Sequence, residues 1–390
     1  MTTSSDTGFP EPPAEPGAID ARPLLSLGFG AAGIALTHLA RGSGRSHAWI
    51  MAATADGVDT GGRATLFHGL PALAFVLSHA QPEDYPHARR TLLGHLQSLA
   101  QRRTEAAHAR IDQAKPASFA EYDLISGLTG IGVALLRTDP NGAALESVLR
   151  YLVRLTEPLR TPQGRLPGWW ARHDPWGSDS RDFPHGHANL GMAHGAAGPL
   201  ALLSLAYRSG KEVPRHVEAI RRICATLDSW RRDAPGGPWW PGWVAHGDHA
   251  PGLRRPGPPS WCYGTPGLAR AQQLAGLALA DRARCRIAEE ALARCLDDPV
   301  QQALLQENGL CHGRAGILHV LRRMADDQRP DGGRWDLGAH VGPVRSSLLR
   351  SVHGDTGNGF LEGRAGAVLA LSAPDSLEAP DWDSCLLLSC

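Results

Sequence analysis

Seven copies of one short motif, spread over most of the chain, constrain its fold more than any other feature. They are Phe29-Gly30-Ala31-Ala32-Gly33, His68-Gly69-Leu70-Pro71-Ala72, Ser126-Gly127-Leu128-Thr129-Gly130, His194-Gly195-Ala196-Ala197-Gly198, Tyr263-Gly264-Thr265-Pro266-Gly267, His312-Gly313-Arg314-Ala315-Gly316 and Glu362-Gly363-Arg364-Ala365-Gly366. Only the second copy departs from Gly-x-x-Gly, with Ala72 as its second glycine. Successive first glycines stand 39, 58, 68, 69, 49 and 50 residues apart. Such a period marks a repeat architecture, with room for one helix after the glycines, a second helix and a return loop. Glycine suits the motif because it tolerates positive φ and lets two backbones approach closely. The segments after the glycines, such as Ile131 to Leu136 and Ala367 to Leu371, are apolar on all sides, as buried helices are. The segments between are amphipathic. Leu145, Val148, Leu149 and Leu152 recur at helical spacing, as do Ile220, Ile223, Cys224 and Leu227. Each repeat therefore reads as one buried inner helix and one half-wet outer helix. The expected fold is all-α: an α/α toroid of seven inner and seven outer helices, with the glycine-bearing ends gathered on one face.

Two stretches break the helical pattern. Residues 158–190 hold prolines, glycines and the tryptophans Trp169, Trp170 and Trp176, and read as an irregular or short-strand insert. Residues 234–259 hold Trp239, Trp240 and Trp243 and lead into Cys262. Loops this long in a compact domain are usually functional or disordered, and the tryptophans argue against disorder. Residues 1–22, rich in proline and small residues, read as a flexible tail; the toroid is expected over 23–390.

Two copies carry chemistry. Trp261-Cys262-Tyr263-Gly264 and Leu310-Cys311-His312-Gly313 place a cysteine two residues before the first glycine. A lone cysteine is usually a small buried hydrophobe, and a Cys-His pair inside a helix would splay by about 100°. Just ahead of a helix both can converge. Cys262, Cys311 and His312, at matching motif positions, form a Cys₂His set, which with an open fourth position is a catalytic zinc pattern.

Lys+Arg and Asp+Glu both number 39, so there is no basic field for nucleic acid. No apolar run reaches the length of a membrane span. The N-terminus has no signal-peptide pattern, and the seven cysteines form no regular framework, so a reducing cytoplasm is expected.

The Trp-Cys-Tyr-Gly, Cys-His-Gly and His-Gly-x-x-Gly motifs, in this order within a seven-fold ring, resemble those of the LanC lanthionine cyclases. The resemblance covers about Leu24 to Leu371. It implies an α/α toroid with a small inserted domain and one zinc held by Cys262, Cys311 and His312. It also implies a catalytic histidine at His194, an aspartate at Asp123 and a tyrosine at Tyr263. One departure is visible. Members of the family often carry an arginine four residues before the first zinc cysteine, where this chain has Pro258; Arg254 or Arg255 is the candidate substitute.

The chemistry follows from the residue types. A free thiol has a pKa near 8.5 and is mostly protonated at neutral pH, whereas a coordinating thiol is deprotonated by zinc. The resulting sulfur nucleophile can add to a dehydroalanine or dehydrobutyrine and make a thioether ring. His194 has the residue type for acid-base work near pH 7, and Asp123 either orients it or steers the substrate, with orientation preferred. As structural alternatives, His194 could be a hydrogen-bonded core histidine and Asp123 a helix cap. His68 and Glu362 hold the equivalent place in copies two and seven and read as rim residues. Three function classes fit: a lanthionine-forming cyclase, a LanC-like glutathione transferase acting on dehydrated residues, and a non-catalytic zinc-containing scaffold for other modifying enzymes. A full donor set with His194 and Asp123 disfavours the scaffold. No kinase, lyase or dehydratase segment accompanies the ring, so the cyclase reading calls for a separate dehydratase and a dehydrated precursor peptide as partners.

Overall fold

The computed structural model describes residues 11–16, 24–161, 164–246, 255–328, 335–352, 357–372 and 381–390. A helix follows each of the seven motifs: α1 (Ala31–Ala40), α3 (Leu70–Leu77), α6 (Leu128–Thr138), α8 (Ala197–Arg208), α10 (Thr265–Ala278), α13 (Arg314–Asp326) and α15 (Arg364–Ser372). Each packs on the next, and α15 closes on α1. These helices are the apolar ones: every residue of α3 is buried, and ten consecutive residues of α8, Ala197 to Ala206, are buried. Outside them lie α2 (Ser46–Ala53), α4 (Pro86–Asp112), α7 (Ala143–Leu155), α9 (His216–Trp230), α11 (Arg282–Asp297) and α14 (Gly338–Ser351). Their inward stripes are the ones the periodicity marks, Leu145, Val148, Leu149 and Leu152 on α7 and Ile220, Ile223, Cys224 and Leu227 on α9. The short helices α5 (Phe119–Tyr122) and α12 (Pro299–Ala303) sit in connections. The fold is an α/α toroid.

Around the seventh repeat the structure departs from strict pairing. Among the described residues no α-helix follows α15. The chain instead ends in a 3-10 turn, Asp381–Leu386, whose Trp382, Asp383, Cys385 and Leu386 are buried. It closes the ring at the C-terminal ends of the inner helices: Arg137 in the last turn of α6 pairs with Asp381 at 2.9 Å, and Ser209 after α8 meets Cys390 at 3.2 Å. Of the expected tail, residues 1–10 and 17–22 lie outside the described residues. Residues 11–16 are held by His38 of α1, whose Nε2 donates to Pro13 O at 2.9 Å.

The motif glycines act through close approach more than through φ. Of the seven first glycines only Gly69 has a positive φ, 78°. A Cβ on Gly127, Gly195, Gly264, Gly313 or Gly363 would overlap the backbone nitrogen four residues earlier, and one on Gly267, Gly316 or Gly366 the carbonyl six residues earlier. The loop thus folds over the start of its helix. Its carbonyls take the first-turn N–H groups that no capping side chain reaches: Arg314, Ala315 and Gly316 donate to Glu307, Asn308 and Gly309 at 3.0–3.2 Å.

Among the described residues, six short strands lie in or at the edge of the two irregular stretches. β1 (Leu159–Thr161) pairs antiparallel with β2 (Gly164–Leu166), and β4 (Arg232–Ala234) with β5 (Gly237–Trp239). β3 (His187–Asn189) pairs with β6 (Trp243–Ala245) in the register Ala188 to Val244. This last ladder joins the insert to the tryptophan-rich stretch before Cys262 and places both beside the fourth and fifth motifs.

Candidate metal centre and active site

Neighbouring motif loops are tied to one another around much of the ring. The residue two places before the first glycine bonds its counterpart in the neighbouring repeat: Ala193 N to Cys262 O at 3.2 Å, Cys262 N to Cys311 O at 3.2 Å, Cys311 N to Leu361 O at 2.9 Å and Leu361 N to Gly28 O at 2.9 Å. Leu124 N to Ala193 O and Leu27 N to Phe67 O, both 3.1 Å, extend the pattern one residue out of step. These links explain how cysteines 49 positions apart become neighbours: they hold the same place in adjacent repeats.

Cys262, Cys311 and His312 each offer a ligand atom, and the three atoms lie within 4.8 Å of one another. Gly313 caps α13 in extended conformation, φ −125°, so Cys311 and His312 precede the helix and can converge. Cys262 is held well below the usual thiol range because its sulfur is hydrogen-bonded by Cys311 and then by His312, against the effect of burial. The Cys311 thiol is pushed up by that same bond and by burial. His312 is raised to about 9, chiefly by its bond to the Cys262 sulfur. Glu307 Oε2 lies 3.0 Å from His312 Nε2, the kind of carboxylate partner that a metal-ligating histidine usually has on its second nitrogen. Two thiol donors, one imidazole and a carboxylate behind it fit zinc.

His194 stands one repeat away. Its Nδ1 donates to Asp123 Oδ2 at 2.5 Å. Asp123 is fully buried, and its Oδ1 accepts from Ser126 N at 2.5 Å. Burial raises the Asp123 carboxyl above its ordinary value, opposed by the His194 bond. The His194 ring stacks on Phe119, 5.2 Å away and tilted 27°, and on Tyr263, 6.0 Å away and tilted 29°. Tyr122 Oη donates to His194 O at 3.0 Å, which fixes the backbone beneath the ring. Burial first, and the Cys262 charge second, push the Tyr263 phenol up, so it is un-ionised at neutral pH.

Cys262, Tyr263, Cys311 and His312 line a cavity of about 1010 Å³. Trp239, Trp240 and Trp243 line it too, as do Glu307 and Glu362. The six residues singled out in the sequence thus gather in two linked groups, the donor set and the His194–Asp123 pair, with Tyr263 touching both. Glu362 lines the cavity; His68 does not, and its Nε2 lies 3.7 Å from Asp59 Oδ2. Arg255 and Pro258 also line it, and Arg254 lies outside the described residues. Glu307 and Phe119 escaped the sequence reading. Neither occupies a motif position, and only their contacts with His312 and His194 give them away.

The pattern for lanthionine synthetase C-like proteins matches residues 25–387. The chain belongs to that family. It is 25% identical over 343 residues, 83% of this chain and 77% of its relative, to the nisin biosynthesis protein NisC of Lactococcus lactis subsp. lactis. The solved structure of nisin cyclase superposes with a TM-score of 0.77 over 95% of this chain and 94% of that one, at 19% identity, a likeness of fold. No described helix of this family member is long and apolar enough to cross a membrane.

Proposed function

We propose that the protein is a zinc-dependent lanthionine synthetase, closing thioether rings in a dehydrated precursor peptide. The observation that carries this reading is the meeting, at one end of the ring, of a Cys₂His donor set and a histidine–aspartate pair across Tyr263. Cys262, Cys311 and His312 would hold the zinc. Bound zinc supplies a substrate thiol that stays deprotonated at neutral pH. In the addition the sulfur bonds the β-carbon of a dehydroalanine or dehydrobutyrine, the alkene pair moves to the α-carbon as an enolate, and that carbon takes a proton. His194 is the proposed proton donor, supported by its bond to Asp123 and its stacking on Tyr263. Asp123 occupies Nδ1 and fixes the ring, which leaves Nε2 to hold or deliver a proton. Tyr263, un-ionised and stacked on His194, can donate to the enolate oxygen. The precursor must arrive dehydrated, so a separate dehydratase is its supplier.

The test uses a synthetic peptide with one cysteine and one dehydroalanine. Ring closure leaves the mass unchanged and removes the alkylatable thiol. A persistent thiol under zinc-replete conditions would end this reading; a mass increase equal to glutathione, when that thiol is supplied, would replace it with the transferase.

Metal content is a separate expectation. The purified protein should carry about one zinc per chain, and Cys262→Ala or Cys311→Ala should each lose most of it, since two remaining donors form an incomplete site. Elemental analysis of the folded variants reads this; full zinc in both would remove the assignment.

A further inference from the structure

The aromatic wall of the cavity continues outside it. Trp243 lines the cavity, and the Trp176 indole packs against it, centroids 5.7 Å apart at 62°. Trp176 is 73% exposed, the most exposed of the large apolar side chains among the described residues. A built turn presents it. Buried Asp174 accepts through Oδ1 from Trp176 N and Ser178 N, both at 2.9 Å. Asp174 N donates to Ser178 O at 2.8 Å, and Gly177 passes at φ 89°. Buried Phe183 packs edge-on against the Trp176 ring at 6.2 Å. The turn is closed on itself, so it fixes the indole outward instead of folding it into the insert.

We infer that the run from Trp243 to Trp176 is a docking track for the polypeptide that flanks the reacting residues of the substrate, taking an extended segment with apolar or aromatic side chains. The inference rests on the proposed peptide substrate. A cavity of about 1010 Å³ is at the top of the range that encloses a drug-sized ligand. A precursor peptide is longer, and its chain must leave the cavity on one side or another. Glu307 and Glu362 contribute polar, charged lining, against which apolar side chains gain nothing. Over the tryptophans the same side chains bury area against large, rigid aromatic surfaces. Isolated exposed apolar residues need no explanation, but one continuous with a reaction cavity marks an interaction surface. Glutathione, a tripeptide, is small enough to stay inside the cavity, so the track belongs to a long substrate.

The test is Trp176→Ala in the full-length, zinc-loaded protein, a surface change with little effect on folding. Two fluorescent peptides share one cysteine and one dehydroalanine, and one of them adds a ten-residue flank containing leucine and phenylalanine. Binding is read by anisotropy and cyclisation by thiol loss. The expected result is a ~10- to 30-fold weaker Kd and higher KM for the flanked peptide, the scale of a tryptophan anchor, with the short peptide unchanged. Equal affinity of the flanked peptide for variant and parent, or equal losses for both peptides, would overturn the track. A parent that binds the flanked peptide tightly but closes no ring would remove the cyclase reading and leave the track standing.

Discussion

His194→Asn is expected to keep its zinc and its fold while ring closure slows by ~10²–10⁴-fold, the usual effect of losing one general acid-base group. The geometry separates His194 from the Cys₂His donor set. It sits in the repeat before Cys262, where the cysteine place is taken by Ala193, so this repeat offers at most one donor. Its Nδ1 is already committed to Asp123, and Phe119 and Tyr263 hold the ring face-on. A fourth protein ligand would also close the zinc to the substrate thiol. Asparagine keeps a polar group near Asp123 but cannot carry a proton to carbon near neutral pH. Zinc content, thermal melting and cyclisation of one dehydrated peptide should be measured beside the parent. Zinc loss would make His194 a ligand and the site structural. Undiminished cyclisation with zinc intact would move the proton transfer to Asp123, Tyr263 or a bound water.

Much of this site is legible in the chain because the repeat does the geometric work. Once seven motifs form a ring, residues at the same motif position become neighbours, and Cys262 beside Cys311 follows without knowledge of any side-chain contact. The Cys₂His donor set and His194 are readable for that reason. Glu307 and Phe119 are not, because each acts from a loop position set by how that one connection folds. The glycines show a subtler gap. Their presence signals a tight turn, but it is the overlap a Cβ would make with the preceding loop that requires them, and positive φ applies only at Gly69. The terminal segment is the largest omission. Residues 381–390 carry no motif and no helical period, and their burial depends on charged partners far away in sequence.

Those partners predict the second large effect. Asp383→Asn is expected to destabilise the fold by roughly 3–5 kcal/mol, the scale for breaking a buried ion pair by removing one partner. Asp383 is fully buried; Arg323 donates to Oδ2 at 2.6 Å and to Oδ1 at 2.9 Å, and His319 Nε2 donates to Oδ2 at 2.8 Å. Burial alone would raise this carboxyl, but the His319 bond and the Arg323 charge outweigh it and hold the group below the usual carboxylate range. A depressed folded-state pKa contributes stability that is complete above the unfolded value, near 4, and is lost as pH falls below it. The gap between parent and variant in urea or thermal unfolding should therefore be widest near pH 7 and narrow below about pH 4. Equal midpoints at pH 7 would show that the ion pair contributes nothing net. The consequence reaches the metal site, because Trp261 Nε1 donates to Leu386 O at 2.9 Å and Trp261 immediately precedes Cys262. On heating, the variant should release its zinc at a lower temperature than the parent. Release at the same temperature would mean that the linked motif loops hold Cys262 without help from the terminal segment.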